Sequence, residues 1–154
     1  MPEPAVLFVC LGNICRSPLA EAAFRAEAER ANFKCTVDSA GTADYHIGEP
    51  PDPRAVRTAA QFGIDISGYR GRQASPADFA RFTHILAADH ANLGNLQRMA
   101  PAGHTARLSL LLDLVPGREG EALTDPWYGD EDGFLGTWAD VTAAARALVK
   151  ELTP

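Results

Sequence analysis

One short segment of the chain combines residue types that can bind and attack a phosphoryl group. It contains Cys10, five further residues, and then Arg16 and Ser17. A cysteine thiolate is a strong nucleophile that forms covalent intermediates, and the planar guanidinium of an arginine can donate to two oxygens of one phosphate. The spacing therefore predicts a loop, residues 10–17, in which Cys10 attacks phosphorus while Arg16 binds the oxygens. We call this segment the phosphate loop.

The residues on either side of the phosphate loop predict a strand before it and a helix after it. Residues 5–9 form a continuous apolar run with β-branched and aromatic members, which is typical of a strand buried on both faces. Ser17 and Pro18 predict the N-cap and the first residue of a helix that runs to about Ala31. A loop between such elements presents backbone N–H groups and the positive end of the helix dipole to an anion.

Three residues within the loop fit this interpretation. We expect Gly12 to adopt backbone angles that other residues resist, and Asn13 to occupy the left-handed region. The hydroxyl of Ser17 is close enough in sequence to donate a hydrogen bond to the Cys10 sulfur. Thiols beside a helix N-terminus and an arginine ionise more readily than free cysteine, so the same loop would bind phosphate and activate the nucleophile.

The rest of the chain alternates between predicted strands and helices. Further strands are predicted at residues 35–37, 84–88 and 107–115, and helices at 53–62, after Ser75-Pro76 and after Asp89. The last helix follows from one apolar stripe: Phe134, Trp138, Val141, Ala145, Leu148 and Leu152. This alternation predicts an α/β fold with a parallel sheet and helices on both faces. Ligands of such folds bind beyond the carboxyl ends of the strands, where the phosphate loop lies.

Composition limits the class of protein. The 154 residues, of which 46% are hydrophobic and 22% charged, predict a single domain over residues 1–154 with its own core. The net charge of −6 argues against a nucleic-acid partner, because such proteins carry an excess of Lys and Arg. The longest apolar run near the start is too short to span a bilayer, so we expect no membrane partner.

Cysteine and histidine usage indicates the compartment. The three cysteines and four histidines show no zinc-type spacing, which predicts that no metal or cofactor is required. An odd number of cysteines and no signal peptide predict reduced thiols and a cytoplasmic location, with export by another route left open.

Several stretches of the sequence, in order along the chain, resemble the low-molecular-weight protein tyrosine phosphatases. They are VLFVCLGNICRSP at residues 6–18, DSAGT at 38–42, PDPRA at 51–55 and DPWYG at 125–129. The resemblance implies a three-layer fold of flavodoxin-like type, with a four-stranded parallel sheet. It also implies hydrolysis of phosphotyrosine and small aryl phosphates through a phosphocysteine, without metal.

The resemblance also implies roles for particular residues. Cys10 corresponds to the nucleophile, Arg16 to the phosphate clamp, and Asp125 to the general acid that later acts as a base. The backbone that binds phosphate corresponds to Leu11, Gly12, Asn13, Ile14, Cys15, Arg16 and Ser17. Asn13 is expected to support the loop together with Ser17, through a hydrogen bond to Ser39.

Residues around the entrance follow from the same resemblance. Tyr45, Trp127 and Tyr128 match aromatic positions that stack on a phenyl ring, which favours phosphotyrosine because phosphoserine is too short to reach the loop. Tyr69 is a departure from the family, and Arg72-Gln73, which follows it closely, lies in a stretch where many members carry histidine. Cys15 is a redox candidate that would form a disulfide with oxidised Cys10, or alternatively a small packed residue.

Three other functions remain open, each with a feature that separates it. An arsenate reductase-like redox enzyme needs a further pair of downstream cysteines, and no cysteine follows Cys35. Protein-arginine phosphatases of similar sequence carry Thr where this chain has Ile14, which cannot orient a water or a guanidinium as a hydroxyl can. A non-catalytic phosphate-binding module would be indicated by the loss of Cys10, Arg16 or Asp125, and all three are present. We expect phosphotyrosine proteins as substrates, a cognate tyrosine kinase as a candidate partner, and a monomer.

Overall fold

The sheet is parallel and has four strands. The computed structural model describes residues 3–153, apart from the side chain of Tyr128. The strands are β1 (Ala5–Cys10), β2 (Thr36–Gly41), β3 (His84–Ala87) and β4 (Arg107–Leu110), in the spatial order β2-β1-β3-β4. Every neighbouring pair is parallel, which confirms the predicted sheet. Because β1 lies between β2 and β3, the loops that follow these three strands meet at one edge.

Helices cover both faces of this sheet. They are α1 (Arg16–Arg30), α2 (Pro53–Gln61), α3 (Asp78–Arg81), α4 (His90–Met99) and α5 (Glu131–Leu152), with 3₁₀ turns at Leu111–Leu114 and Pro126–Tyr128. Side chains alternate along β1, so Val6 and Phe8 join the core under α1, α2 and α5, whereas Leu7 and Val9 join the core under α3 and α4. Among residues 3–153, no helix is both long and apolar enough to cross a membrane.

Most of the predicted helix boundaries are confirmed. Asp52 caps α2 by accepting a hydrogen bond from the Arg54 N–H at 2.8 Å, and Asp89 caps α4 by accepting one from Asn92 at 2.8 Å. After α2 the chain turns at Gly63, whose φ of 80° is favourable only for a residue without a Cβ atom. In α5 the predicted stripe is buried as far as Leu148, and Leu152 is partly buried.

Two predicted starts are wrong. Helix α1 has Cys15 rather than Ser17 at its N-cap, and its first residue is Arg16. The reason is local: the Ser17 hydroxyl accepts a hydrogen bond from Asn13 Nδ2 at 2.8 Å and is held inside the phosphate loop. Helix α3 begins at Asp78, not directly after Ser75, because the Asp78 carboxylate accepts from the Ser75 N–H at 2.9 Å across an intervening turn.

Two predicted strands have different bounds. Strand β2 begins at Thr36 and extends to Gly41, since it pairs with β1 along the whole length of that strand. Strand β4 ends at Leu110, whereas the sequence predicted a strand as far as residue 115. The Asp113 carboxylate accepts hydrogen bonds from the N–H groups of Leu110 and Gly120, which turns the chain into the 3₁₀ segment Leu111–Leu114.

Candidate active site

The phosphate loop begins at the carboxyl end of β1, where its outer carbonyl groups are bound by neighbouring backbone. Cys10 O accepts from Thr42 N at 2.9 Å, Leu11 O from Ala43 N at 3.0 Å, and Ile14 O from Asp52 N at 2.9 Å. In a trans peptide the next N–H points opposite to the carbonyl. We infer that the N–H groups of residues 11, 12 and 15 point to the inner side of the loop, an arrangement in which backbone N–H groups can bind an anion.

Asn13 fixes the interior of this loop. Its φ is 60°, the left-handed conformation that the sequence predicted. Asn13 Oδ1 accepts from the N–H of Arg72 at 3.0 Å, which orients the amide so that Nδ2 donates to Ser17 Oγ at 2.8 Å and to Ser39 Oγ at 3.0 Å. The hydrogen bond to Ser39 is the one that the resemblance implied. Both serine oxygens are acceptors here, so their own protons point elsewhere.

The sulfur of Cys10, the candidate nucleophile, lies within hydrogen-bonding distance of two groups of this loop. Cys10 Sγ lies 3.1 Å from Ser17 Oγ and 3.3 Å from the N–H of Asn13. The Ser17 hydroxyl, which accepts from the Asn13 amide, has two neighbours that can take its own proton: the Cys10 sulfur and, at 3.4 Å, the carbonyl oxygen of Ala40. Cys10 is 3% exposed, so these donors act on a sulfur that is shielded from most solvent.

Gly12 is required for a reason that differs from the predicted one. Its φ lies outside the left-handed region, and a Cβ atom at this position would lie 2.9 Å from Cδ2 of the His46 ring. Gly41 is a second close approach, because its Cβ would lie 2.7 Å from the carbonyl oxygen of Leu11. Both glycines therefore allow other parts of the chain to pack against the phosphate loop.

Arg16 is buried beside the loop and is oriented by groups from distant elements. Its Nη1 donates to Asp89 Oδ2 at 2.8 Å and to the carbonyl oxygen of Leu123 at 3.1 Å. Nη2 lies 3.6 Å from Asp125 Oδ2. The Arg16 side chain is 4% exposed, whereas those of Asp89 and Asp125 are 27% and 39% exposed. The sequence identified Asp89 only as a helix cap, and its contact with Arg16 was missed.

Asp125 lies at the mouth of the site, at the start of a short segment between two anchored ends. We call residues 123–130 the Asp125 segment. Leu123 N donates to Ala88 O at 2.8 Å, which ties the segment to the end of β3. The Asp125 carboxylate accepts from Trp127 N at 3.0 Å, which opens the 3₁₀ turn Pro126–Tyr128. Asp125 Oδ1 is thus held by its own segment, while Oδ2 faces Arg16.

These elements enclose a cleft of about 370 Å³. Its lining includes Cys10, Leu11, Gly12, Ile14, Cys15 and Arg16 from the phosphate loop, Asp125, and the rings of Tyr45, His46 and Trp127. The His46 ring centroid lies 6.5 Å from that of Tyr45 and 6.3 Å from that of Trp127, so the three rings form an aromatic wall. Of the predicted rim, Tyr45 and Trp127 are present in this wall, and the side chain of Tyr128 lies outside the described residues.

His46 also lines the cleft, although no sequence pattern predicted it. His46 directly follows Tyr45, which was predicted to lie at the entrance, and this adjacency could have indicated it. A single histidine, however, has no spacing that distinguishes it from other surface histidines. Its placement depends on packing against Gly12, which is distant in sequence.

The two remaining cysteines differ in their surroundings. Cys15 lines the cleft and is buried, and burial together with the nearby Asp52 carboxylate raises the pKa of its thiol above the ordinary value. Cys35 is only partly buried, and its Sγ donates to the carbonyl oxygen of Pro4 at 3.2 Å. Burial raises the pKa of Cys35 to about 11.

The carboxyl group of Glu21 lies next to Ser39, the residue that accepts a hydrogen bond from Asn13 of the phosphate loop. Ser39 Oγ donates to Glu21 Oε1 at 2.8 Å, and Arg25 Nε donates to Glu21 Oε2 at 2.8 Å. Burial is the largest influence and raises the pKa of Glu21, although these two hydrogen bonds oppose it. Tyr69, the position that departs from the family, is partly buried against the core beside this carboxylate, and burial raises the pKa of its phenol.

Comparison with known proteins gives consistent matches over nearly the whole chain. A profile of the family described as low molecular weight phosphotyrosine protein phosphatase matches residues 5–154. A protein of that name from Schizosaccharomyces pombe is 43% identical over 150 residues, which cover 96% of each chain. The crystal structure of YfkJ from Bacillus subtilis matches with a TM-score of 0.90 and 36% identity, over 99% of this chain and 96% of that one. The crystal structure of DARP, drosophila arginine phosphatase, matches with a TM-score of 0.91 and 30% identity, over 97% and 98%.

Proposed function

The chain belongs to the low molecular weight phosphotyrosine protein phosphatase family, and from this premise we propose how its cleft hydrolyses phosphotyrosine. The observation that carries the proposal is that Cys10, Arg16 and Asp125 line one cleft, with inward N–H groups around it. The phosphate oxygens bind the loop N–H groups and the Arg16 guanidinium, while the substrate phenyl ring contacts the aromatic wall. We further propose that residues 1–154 form a single domain.

In the first step the Cys10 thiolate attacks phosphorus and the bond from phosphorus to the phenolic oxygen breaks. The carboxyl proton of Asp125 passes to that oxygen, so that tyrosine leaves as a neutral phenol. Negative charge on the transferring phosphoryl group is balanced by Arg16 and by the loop N–H groups, which act without reorganisation because they are already oriented.

In the second step water attacks the phosphocysteine. Asp125, now a carboxylate, accepts a proton from that water, the bond from sulfur to phosphorus breaks, and inorganic phosphate leaves. The Cys10 thiolate is regenerated, and its hydrogen bonds from Ser17 and Asn13 make it a better leaving group. One carboxyl group serves both steps, because the first step leaves it in the ionisation state that the second requires.

Kinetics of three variants test this mechanism. Cys10→Ser is expected to abolish turnover, and Asp125→Ala to slow it while inorganic phosphate and vanadate still bind. Cys35→Ser is the matched cysteine control and should retain full activity, since Cys35 lies at the opposite end of β1, against Pro4. Turnover that survives Cys10→Ser would exclude the phosphocysteine.

Substrate comparison tests the specificity. Peptides carrying phosphotyrosine, phosphoserine and phosphoarginine are compared by kcat/KM, because one structural relative is an arginine phosphatase. Ile14 lines the cleft and is 8% exposed, and its branched apolar side chain supports a phenyl ring better than a guanidinium. Phosphotyrosine is therefore expected to be hydrolysed fastest, and faster hydrolysis of phosphoarginine would replace the tyrosine assignment.

Cys15 is proposed to protect the nucleophile. Peroxide converts the Cys10 thiolate to a sulfenic acid, and the Cys15 thiol then displaces water to form a disulfide, which a thiol reductant reverses. The raised pKa of Cys15 keeps it a thiol during turnover, so it does not compete with Cys10. Mass spectrometry after mild peroxide treatment should detect a Cys10–Cys15 linkage that Cys15→Ser lacks. The partners proposed are phosphotyrosine proteins and a cognate tyrosine kinase, in the cytoplasm, with the enzyme as a monomer.

A further inference from the structure

Arg54, the second residue of α2, lies outside the cleft and binds one residue next to the phosphate loop and one residue of the Asp125 segment. Its guanidinium binds Asp52 in a bidentate manner, with Nε to Oδ1 and Nη2 to Oδ2 both at 3.0 Å. The remaining amino group, Nη1, donates to the carbonyl oxygen of Gly129 at 2.9 Å. Gly129 belongs to the Asp125 segment and lies 75 residues away in sequence.

The flat face of the same guanidinium packs against two rings. Its carbon lies 5.5 Å from the centroid of Trp127 and 4.7 Å from that of Phe134. Trp127 is part of the aromatic wall, and Phe134 is a fully buried residue of α5. An arginine can make edge hydrogen bonds and face contacts at once because it is planar, whereas lysine cannot.

Asp52 connects this cluster to the phosphate loop. Its carboxylate holds Arg54, while its backbone N–H donates to Ile14 O at 2.9 Å. Asp52 is 8% exposed. Burial opposes its ionisation, but the hydrogen bonds from Arg54 outweigh burial and lower the pKa of Asp52. The pair thus stays charged and links a carbonyl of the phosphate loop to a carbonyl of the Asp125 segment.

The two ends of the Asp125 segment are anchored differently. At the start, the Leu123 N–H donates to the carbonyl oxygen of Ala88, which ties the segment to the sheet, and the Arg16 guanidinium donates to the carbonyl oxygen of Leu123. At the far end, the Arg54 side chain holds Gly129. The Asp125 carboxylate itself lies 3.6 Å from Arg16, which is too long for a strong hydrogen bond. The position of Asp125 over Cys10 therefore depends on both ends.

We propose that Arg54, held by Asp52, is a positioning residue that sets the distance between the Asp125 carboxyl group and the phosphoryl group on the phosphate loop. It acts through Gly129 and Trp127 and does not touch the substrate. The inference rests on the proposed role of Asp125 as general acid. Loss of the link lets the Asp125 segment move away from Cys10 while the loop itself stays intact.

Substrates with different leaving groups can distinguish a positioning role of Arg54 from a general structural role. The value of kcat/KM reports steps up to the first chemical step, in which protonation by Asp125 matters for phenyl phosphate because its phenolate is a poor leaving group. It matters little for dinitrophenyl phosphate, whose phenolate is stable without a proton. Displacement of the acid should therefore lower kcat/KM for phenyl phosphate selectively.

The test uses Arg54→Lys in the full chain, with Arg57→Lys as the matched control. Arg57 lies one turn further along α2, and its side chain pairs with Glu131 Oε1 of α5 at 2.7 Å. Among the described side chains, no hydrogen bond joins Arg57 to the Asp125 segment. We expect Arg54→Lys to lower kcat/KM for phenyl phosphate about tenfold or more, since a general acid contributes roughly 10²–10⁴. The value for dinitrophenyl phosphate should stay within about twofold, and Arg57→Lys should leave both values unchanged.

Two further variants make every outcome decisive. Asp125→Asn must show the same selective loss; if it does not, the general-acid role fails and the present inference with it. If Asp125→Asn shows the loss but Arg54→Lys lowers both substrates equally, or neither, the positioning role alone is wrong. If Arg54→Lys fails to fold, Asp52→Asn provides a second test. This variant weakens the bidentate pair with Arg54, and asparagine can still cap α2. It should give a smaller loss of the same selectivity.

Discussion

Arg16 and Asp89 form a charged hydrogen bond of 2.8 Å at the base of the cleft, between a guanidinium that is 4% exposed and a carboxylate that also caps α4. They belong to loops after β1 and β3, which are adjacent strands. The pair keeps the guanidinium in one orientation before any phosphate arrives, so a smaller entropic cost remains when the substrate binds.

Replacing Asp89 by Asn should therefore weaken phosphate binding while leaving the helix intact. Asparagine is a good N-cap residue and can accept from Asn92, but it cannot form a charged pair with Arg16. We expect kcat/KM for phosphotyrosine peptides to fall about tenfold, in line with about 1.5–3 kcal/mol for a hydrogen bond between charged groups. The inhibition constant of vanadate should rise in parallel, and an unchanged constant would contradict the orienting role.

Ser17→Ala should slow chemistry more than binding. The variant removes the hydroxyl 3.1 Å from the Cys10 sulfur and leaves Asn13 Nδ2 one acceptor fewer. The thiolate is then less stabilised, so kcat should fall about tenfold while KM changes little, as expected for about one charged hydrogen bond. Iodoacetamide alkylation of Cys10 at neutral pH should also slow. Equal alkylation rates in the two proteins would show that the hydroxyl does not act on sulfur.

Glu21 should make the stability of the fold depend on pH in the direction opposite to a typical acidic residue. Burial raises the pKa of Glu21 above its ordinary value of 4.5. Proton binding therefore favours the folded state: the contribution is complete below pH 4.5 and is lost as pH rises through the folded pKa. The Glu21→Gln variant has no titrating group at this position and therefore does not lose stability in this way as pH rises. The unfolding free energy of the variant minus that of the wild type should therefore increase as pH rises and then level off above the folded pKa. Urea unfolding at a series of pH values measures it, and a constant difference would contradict the raised pKa.

The same substitution at two glycines should have unequal effects. In Gly41→Ala the new Cβ meets the backbone carbonyl of Leu11 at 2.7 Å, and backbone cannot move without displacing the phosphate loop. In Gly12→Ala it meets the His46 ring at 2.9 Å, and a partly exposed side chain can rotate away. We expect Gly41→Ala to lower kcat/KM more than tenfold and Gly12→Ala much less. Adding His46→Ala should restore the loop in Gly12→Ala; equal losses at the two glycines would argue against this packing.

Much of the site can be predicted from sequence because it is local. The phosphate loop occupies one turn between a buried strand and a helix, and its strand, its left-handed Asn13 and its Cys10-to-Arg16 spacing depend on residues within a few positions. Caps such as Asp52 and Asp89 are equally local. The predicted start of α1 was wrong because the Ser17 side chain binds Asn13 instead of capping the helix. The predicted end of β4 was wrong because the Asp113 carboxylate turns the chain back.

The sequence by itself determined the α/β class and the position of the phosphate loop and, through family resemblance, pointed to Asp125 as the candidate general acid. The tertiary structure decided which distant groups serve that loop. Sheet order places the ends of β1 and β3 side by side, so Asp89 reaches Arg16 across 73 residues. The packing of α2 against α5 brings Arg54 to Gly129 across 75 residues. Periodicity and spacing act over a few residues, whereas the partner of a buried guanidinium is chosen by the packing of the whole chain, which no local pattern records.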